Sequence, residues 1–250
     1  MSFFPLRGSP GESGPAMNRR LTPAAVTVWI VVAACCAAAA VVAVLALQTR
    51  IPFSDLTRDP LAIMGKKGAP HLGFLSNLGA LVWCTTAAVC AFTALRLASL
   101  GGARRQSSFL FVAAAFTSLL LFDDLFMLHE NLRLRVAWGE LALFALYGGC
   151  ALSYGLAFRG VLQQLGFFAP LLAICLLGIS VAVDVSKLTA TTAAVWPWIL
   201  EDGSKFVGLV VWGAFHIRAA WIFEAAAARS PGPQPSGPQP SEPQPSGPLR

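Results

Sequence analysis

Six stretches of this chain are apolar enough to enter a bilayer, and that limits the fold more than any motif does. A helix needs about 20 such residues to cross the hydrocarbon core. The runs extend from about Ala24 to Leu47, Leu72 to Leu95, Ser107 to Phe122, Leu141 to Phe158, Gly166 to Val183 and Pro197 to Glu224. The third reaches full length only if it continues through "DDLFMLHE", from Asp123 to Glu130. Lipid offers no partner to exposed backbone groups, so spanning segments of this kind are read as helices. The predicted fold class is therefore all-α, a six-span transmembrane helical bundle over residues 21–228. Residues 1–20 are predicted to be a disordered N-terminal segment, and 229–250 a disordered Pro-, Gln-, Ser- and Gly-rich tail.

Composition supports this reading. Hydrophobic residues make up 56% of the 250 and charged residues only 12%, which argues against a soluble enzyme. The first apolar run follows Arg19 and Arg20 but is longer than the core of an export signal, so it reads as a retained anchor. The net charge of +6 is small for a nucleic-acid binder and more typical of residues that orient spans, so the lipid bilayer is the expected partner and nucleic acid is not. With the N-terminus inside, the inner segments hold ten basic residues and the outer segments seven. That bias predicts a multi-pass protein of the cell membrane with both termini cytoplasmic. No motif specifies a protein partner. The six cysteines all lie in apolar runs without metal or redox spacing and read as small hydrophobes.

The acids are distributed far less evenly. Six crossings put the start of the second span, the ends of the third and fifth and the start of the sixth on one membrane face. Asp55, Asp59, Asp123, Asp124, Glu130, Glu140, Asp184, Glu201 and Asp202 then gather at that end, leaving Glu12, Glu224 and Glu242 opposite. His71 and His129 join the acidic end, while His216 falls at the far end of the sixth span and reads as interfacial.

Helix geometry refines the picture. Glu201, Lys205, Gly208, Trp212 and His216 share one stripe, whereas Asp202 points off it toward solvent. Lys205 lies about 6 Å deeper than Glu201, level with Asp123 and Asp124 on an antiparallel neighbour, which predicts an ion pair with one of them. On an unbroken third helix Glu130 would share a face with Asp123 but sit about 10 Å along the axis. Arg133 and Arg135 are the expected partners of Glu130, and His129 reads as interfacial before it reads as a ligand. Asp184 is expected to turn inward.

The concrete chemistry such a cluster permits is cation or proton binding near the outer face. Asp123, Asp124, Asp184 and Glu201 are the candidate metal ligands, and a divalent ion is the cofactor they would hold. If the site is catalytic, metal-assisted hydrolysis of a lipid or other amphiphile is expected, with Asp123, Asp124, Glu130, His129 and Lys205 in the machinery. A proton- or cation-coupled transporter component and an accessory subunit held by a buried ion-pair network are the alternatives. The segment Glu201–Lys205, "EDGSK", resembles the Glu-Glu-x-x-Lys motif of bacterial intramembrane proteases, but it departs at Asp202 and lacks the later His-containing helix motifs. Ser118, Asp123, His129 and His216 are superficially similar to the Ser, Asp and His set of alkaline ceramidases and adiponectin-type receptors, without a pair of histidines one turn apart. Neither resemblance carries an assignment.

Overall fold

The computed structural model describes residues 23–57, 72–101, 103–136, 138–186 and 194–229. Asp59, His71, the N-terminal segment 1–20 and nearly all of the Pro-rich tail lie outside the described residues. Every regular element among the described residues is helical. Six of the helices are long and apolar enough to cross a membrane, as a multi-pass membrane protein requires.

In chain order the elements are α1 (Pro23–Leu47), α2 (Phe53–Thr57), α3 (Phe74–Ser99), α4 (Arg104–Phe126), α5 (Leu128–Arg135), α6 (Gly139–Ala157), α7 (Arg159–Leu165), α8 (Phe168–Ser186) and α9 (Trp196–Arg229). The long helices α1, α3, α4, α6, α8 and α9 match the six predicted runs to within a few residues, and the Gly148–Gly149 pair does not interrupt α6. Two irregularities were not anticipated. The third run does not continue as one helix to Glu130, because Met127 adopts φ 48° and ψ 47° and separates α4 from α5. The first part of α9 carries a π-turn over Ile199–Gly203.

The central pillar is α9, which packs against α1, α3 and α8 and also touches α4. Association of helices in lipid gains little from the hydrophobic effect and depends on close packing and interhelical hydrogen bonds. Both are present here. A Cβ on Gly208 would lie 3.2 Å from the carbonyl oxygen of Ala173, so the missing side chain lets α9 approach the α8 backbone. At Gly213 a Cβ would lie 2.7 Å from Thr86 Oγ1 on α3. The turn from α3 to α4 is tied by Ser107 Oγ, which donates to the Ala94 carbonyl at 2.8 Å.

At one end of the bundle the core is aromatic and closed. Phe109, Trp212, Phe215 and His216 are all nearly or completely inaccessible, and His216 stacks against Phe109 with ring centroids 5.8 Å apart. His216 is thus not interfacial. The Tyr154 hydroxyl lies 2.9 Å from its Nε2, and its Nδ1 lies 2.9 Å from the Trp212 carbonyl. Because a carbonyl can only accept, Nδ1 carries the proton and Nε2 accepts from the tyrosine. Trp212 Nε1 in turn donates to Thr117 Oγ1 at 3.0 Å. These bonds link α4, α6 and α9 through groups that would be costly to bury unpaired.

Candidate functional site

The left-handed Met127 breaks the helix just after the paired aspartates of α4 and changes the direction of the chain. Asn131 Nδ2 donates to the Phe126 and Met127 carbonyls at 3.1 and 3.0 Å, capping groups that a helix end leaves open. The same change of direction brings His129 over Asp123. Asp123 Oδ1 accepts from the His129 backbone N–H at 2.9 Å and lies 2.9 Å from His129 Nδ1. His129 is therefore a partner of Asp123 and not an isolated interfacial residue. Burial disfavours its imidazolium, but the hydrogen bond and charge of Asp123 outweigh burial and raise the His129 pKa above the ordinary histidine value.

The other aspartate faces the central helix. Lys205 Nζ on α9 donates to Asp124 Oδ1, the ion pair predicted from relative depth. The two adjacent acids thus have separate partners, Asp123 an imidazole and Asp124 an ammonium.

Both pairs border a cavity of about 280 Å³. Asp184 from α8 and Glu201 and Asp202 from α9 also line its polar end. The clustering of acids inferred from the number of crossings is realised for these five. Asp202 does not point away toward solvent. Asp202 is three residues before Lys205 and Glu201 four, so both acids fall on the Lys205 side of the helix, within the stretch that carries the π-turn. Asp202 also borders, with Thr57, Ser76, Asp124 and Lys205, a second space of about 30 Å³.

Glu130 does not join the site. It is exposed and absent from the cavity wall, because the break at Met127 removes the register that would have kept it on the face of Asp123. Its expected partner Arg133 instead donates to Glu140 at 3.2 Å and lies 3.8 Å from Asp184. Asp184 does turn inward, as expected.

The four proposed metal ligands share the cavity, but their donors are not arranged as a metal site. Among the described residues no three His, Cys, Asp or Glu side chains converge as ligands. Asp123 and Asp124 each engage a partner through Oδ1, His129 and Lys205 respectively. As placed, the described side chains do not form a metal site, and no step is assigned to a divalent ion.

Two residues beside the Asp123–His129 couple escaped the sequence reading. Tyr147 on α6 is 8% exposed, and its hydroxyl lies toward Asp123 without completing a hydrogen bond. Phe144, one turn earlier, packs its ring 5.5 Å from that of His129. A signal for Tyr147 does exist: the chain contains only two tyrosines, Tyr147 and Tyr154, seven residues apart and so on one helix face. From the polar end the wall becomes apolar through Leu120, Phe116, Ile174 and Leu177, and ends at Trp212.

No curated protein and no solved structure matches this chain. Residues 25–219 match the family described as a domain of unknown function, DUF8692, and those residues reach into all six long helices and include every residue of the cavity wall. Matched over most of its length, the chain belongs to that family.

Proposed function

We propose that this is a multi-pass protein of the cell membrane, with both termini cytoplasmic, whose cavity binds one membrane amphiphile near the outer face. In this reading the Asp123–His129 couple exchanges a proton with the bound head group. The observation that carries it is the composition of a single cavity. One end holds carboxylates, an imidazole and an ammonium, and the rest is apolar and aromatic. A hydrated ion needs no apolar wall, and an acyl chain needs no carboxylates, whereas an amphiphile uses both.

The couple has the geometry acid–base chemistry requires. Asp123 accepts from the backbone of His129 as well as facing its ring, so the imidazole is held in one orientation. Pairing with Asp123 raises the His129 pKa and so favours the protonated ring, which can pass its proton to a bound group. Lys205 neutralises Asp124 and keeps α4 against α9, a positioning role. The reaction class that fits is hydrolysis or proton transfer at a lipid head group, with Asp123 and His129 acting on water or on the head group itself. The closed aromatic end around Phe109, Trp212 and Phe215 supports a one-sided site over a transport path.

The test is turnover in nanodiscs. Wild-type protein incubated with a lipid extract should release a product detectable by mass spectrometry, and Asp123→Asn should not. If the two proteins give the same lipid profile, the catalytic part of the proposal fails.

A further inference from the structure

The cavity does not depend on its polar end alone for access. Gly148 on α6 and Gly178 on α8 both line it, both are exposed, and a Cβ built on either meets nothing within 4 Å. Ala151 lies one turn along α6 from Gly148, and Ile174 one turn along α8 from Gly178. Small residues on two facing helices usually mark close packing, as at Gly208 and Gly213. Here they face open space. The helix α6 buries only Gly139, Tyr147 and Tyr154 and makes little contact with α8, so the cavity wall between the two is open at the exposed Gly148 and Gly178.

Two further observations describe what this opening admits. Five carboxylates line the polar end, against Lys205 and His129 on the wall and Arg133 beside Asp184, and the remaining excess of negative charge opposes an anionic head and favours a cationic one. The hydroxyl of Tyr147, a residue more than nine-tenths buried on the wall, faces Asp123 but has no hydrogen-bond partner of normal geometry among the described residues. A buried hydroxyl left unpaired is costly, and a ligand head group would satisfy it.

We infer that the gap between α6 and α8 is a lateral portal through which a single-chain amphiphile with a cationic head enters from the bilayer. Its chain lies along Gly148, Ala151, Ile174 and Gly178, and its head meets Tyr147 and the carboxylates. This rests on the amphiphile-binding reading above and adds the route and the charge of the head.

The probe is a photoreactive hexadecylamine, compared with photoreactive palmitic acid, each added to full-length protein in lipid nanodiscs and read by labelling of α6 and α8 peptides. The amine should label wild-type protein strongly and the fatty acid weakly. Gly148→Leu and Gly178→Leu should lose amine labelling while keeping the wild-type melting temperature, since their side chains grow into empty space. Tyr147→Phe, losing one hydrogen bond, should weaken labelling about 2–10-fold. Undiminished labelling in both leucine variants overturns lateral entry and leaves the binding reading standing. Equal labelling by the fatty acid overturns the cationic head group. Absence of cavity labelling by either probe overturns both this inference and the binding reading.

Discussion

Replacing Lys205 by methionine tests whether the ion pair with Asp124 holds the site together. The substitution keeps the unbranched length of the side chain and removes its charge, leaving the Asp124 carboxylate with 9% side-chain exposure and no ammonium beside it. Breaking a fully buried pair costs about 3–5 kcal/mol, most of it the desolvation of the charge left behind. Lys205 is not fully buried: 36% of its side chain is accessible, so water reaches the pair and the loss is expected to be about 1–3 kcal/mol. Asp124→Asn alone should cost a similar or smaller amount, because a neutral amide still accepts from the ammonium. The double variant should recover part of the sum, since it leaves neither charge stranded, giving a coupling energy of roughly 0.5–1.7 kcal/mol. Reversible denaturation in detergent micelles measures all four corners of the cycle. A loss below about 0.5 kcal/mol in Lys205→Met, with additive effects in the double variant, would show that the contact is not an energetic link between α4 and α9.

Three other outcomes follow from particular contacts. The His129 pKa is raised in the folded protein, so its pairing with Asp123 stabilises fully below the ordinary histidine value of about 6.5 and is lost as pH rises through the folded pKa. Thermal melts across pH should show this decline in wild type and not in His129→Gln, and superimposable profiles would refute it. Tyr154→Phe strands His216 Nε2 in the aromatic core and should cost about 1–3 kcal/mol by chemical denaturation, whereas a change near zero would mean the bond clasps nothing. Met127→Val places a β-branched residue at φ 48° and should cost about 1–2 kcal/mol, while Met127→Gly should be tolerated. If both melt like wild type, the break between α4 and α5 is not a fixed feature.

Much of the architecture was legible because hydropathy acts one residue at a time. The six long helices follow the apolar runs, and counting crossings was enough to place Asp123, Asp124, Asp184, Glu201 and Asp202 at one end. The Lys205–Asp124 pair followed from depth alone, since an antiparallel neighbour fixes which residues are level. What was missed depends on departures from regular helix or on contacts between distant segments. Nothing in "LFMLHE" marks Met127 as the residue that turns left-handed, and an unbroken repeat puts Glu130 on the face of Asp123 and His129 near the surface. Asp202 lies on the cavity wall because its i+3 relation to Lys205 keeps it on that face, a relation that the stripe drawn from Glu201 leaves out. His216 and Tyr154 are 62 residues apart, and their pairing depends on how α6 meets α9, which the periodicity of a single helix does not encode. The same holds for the opening at Gly148 and Gly178, since small residues read identically whether they admit a helix or leave a gap.

Native mass spectrometry of protein released intact from membrane-derived nanodiscs measures occupancy of the cavity most directly. Wild-type protein should carry one lipid-sized adduct, and a combined Asp123→Asn, Tyr147→Phe variant should lose it while keeping its fold. Wild-type protein without an adduct, or an adduct equally retained by the variant, would contradict the assignment of this cavity to a membrane amphiphile.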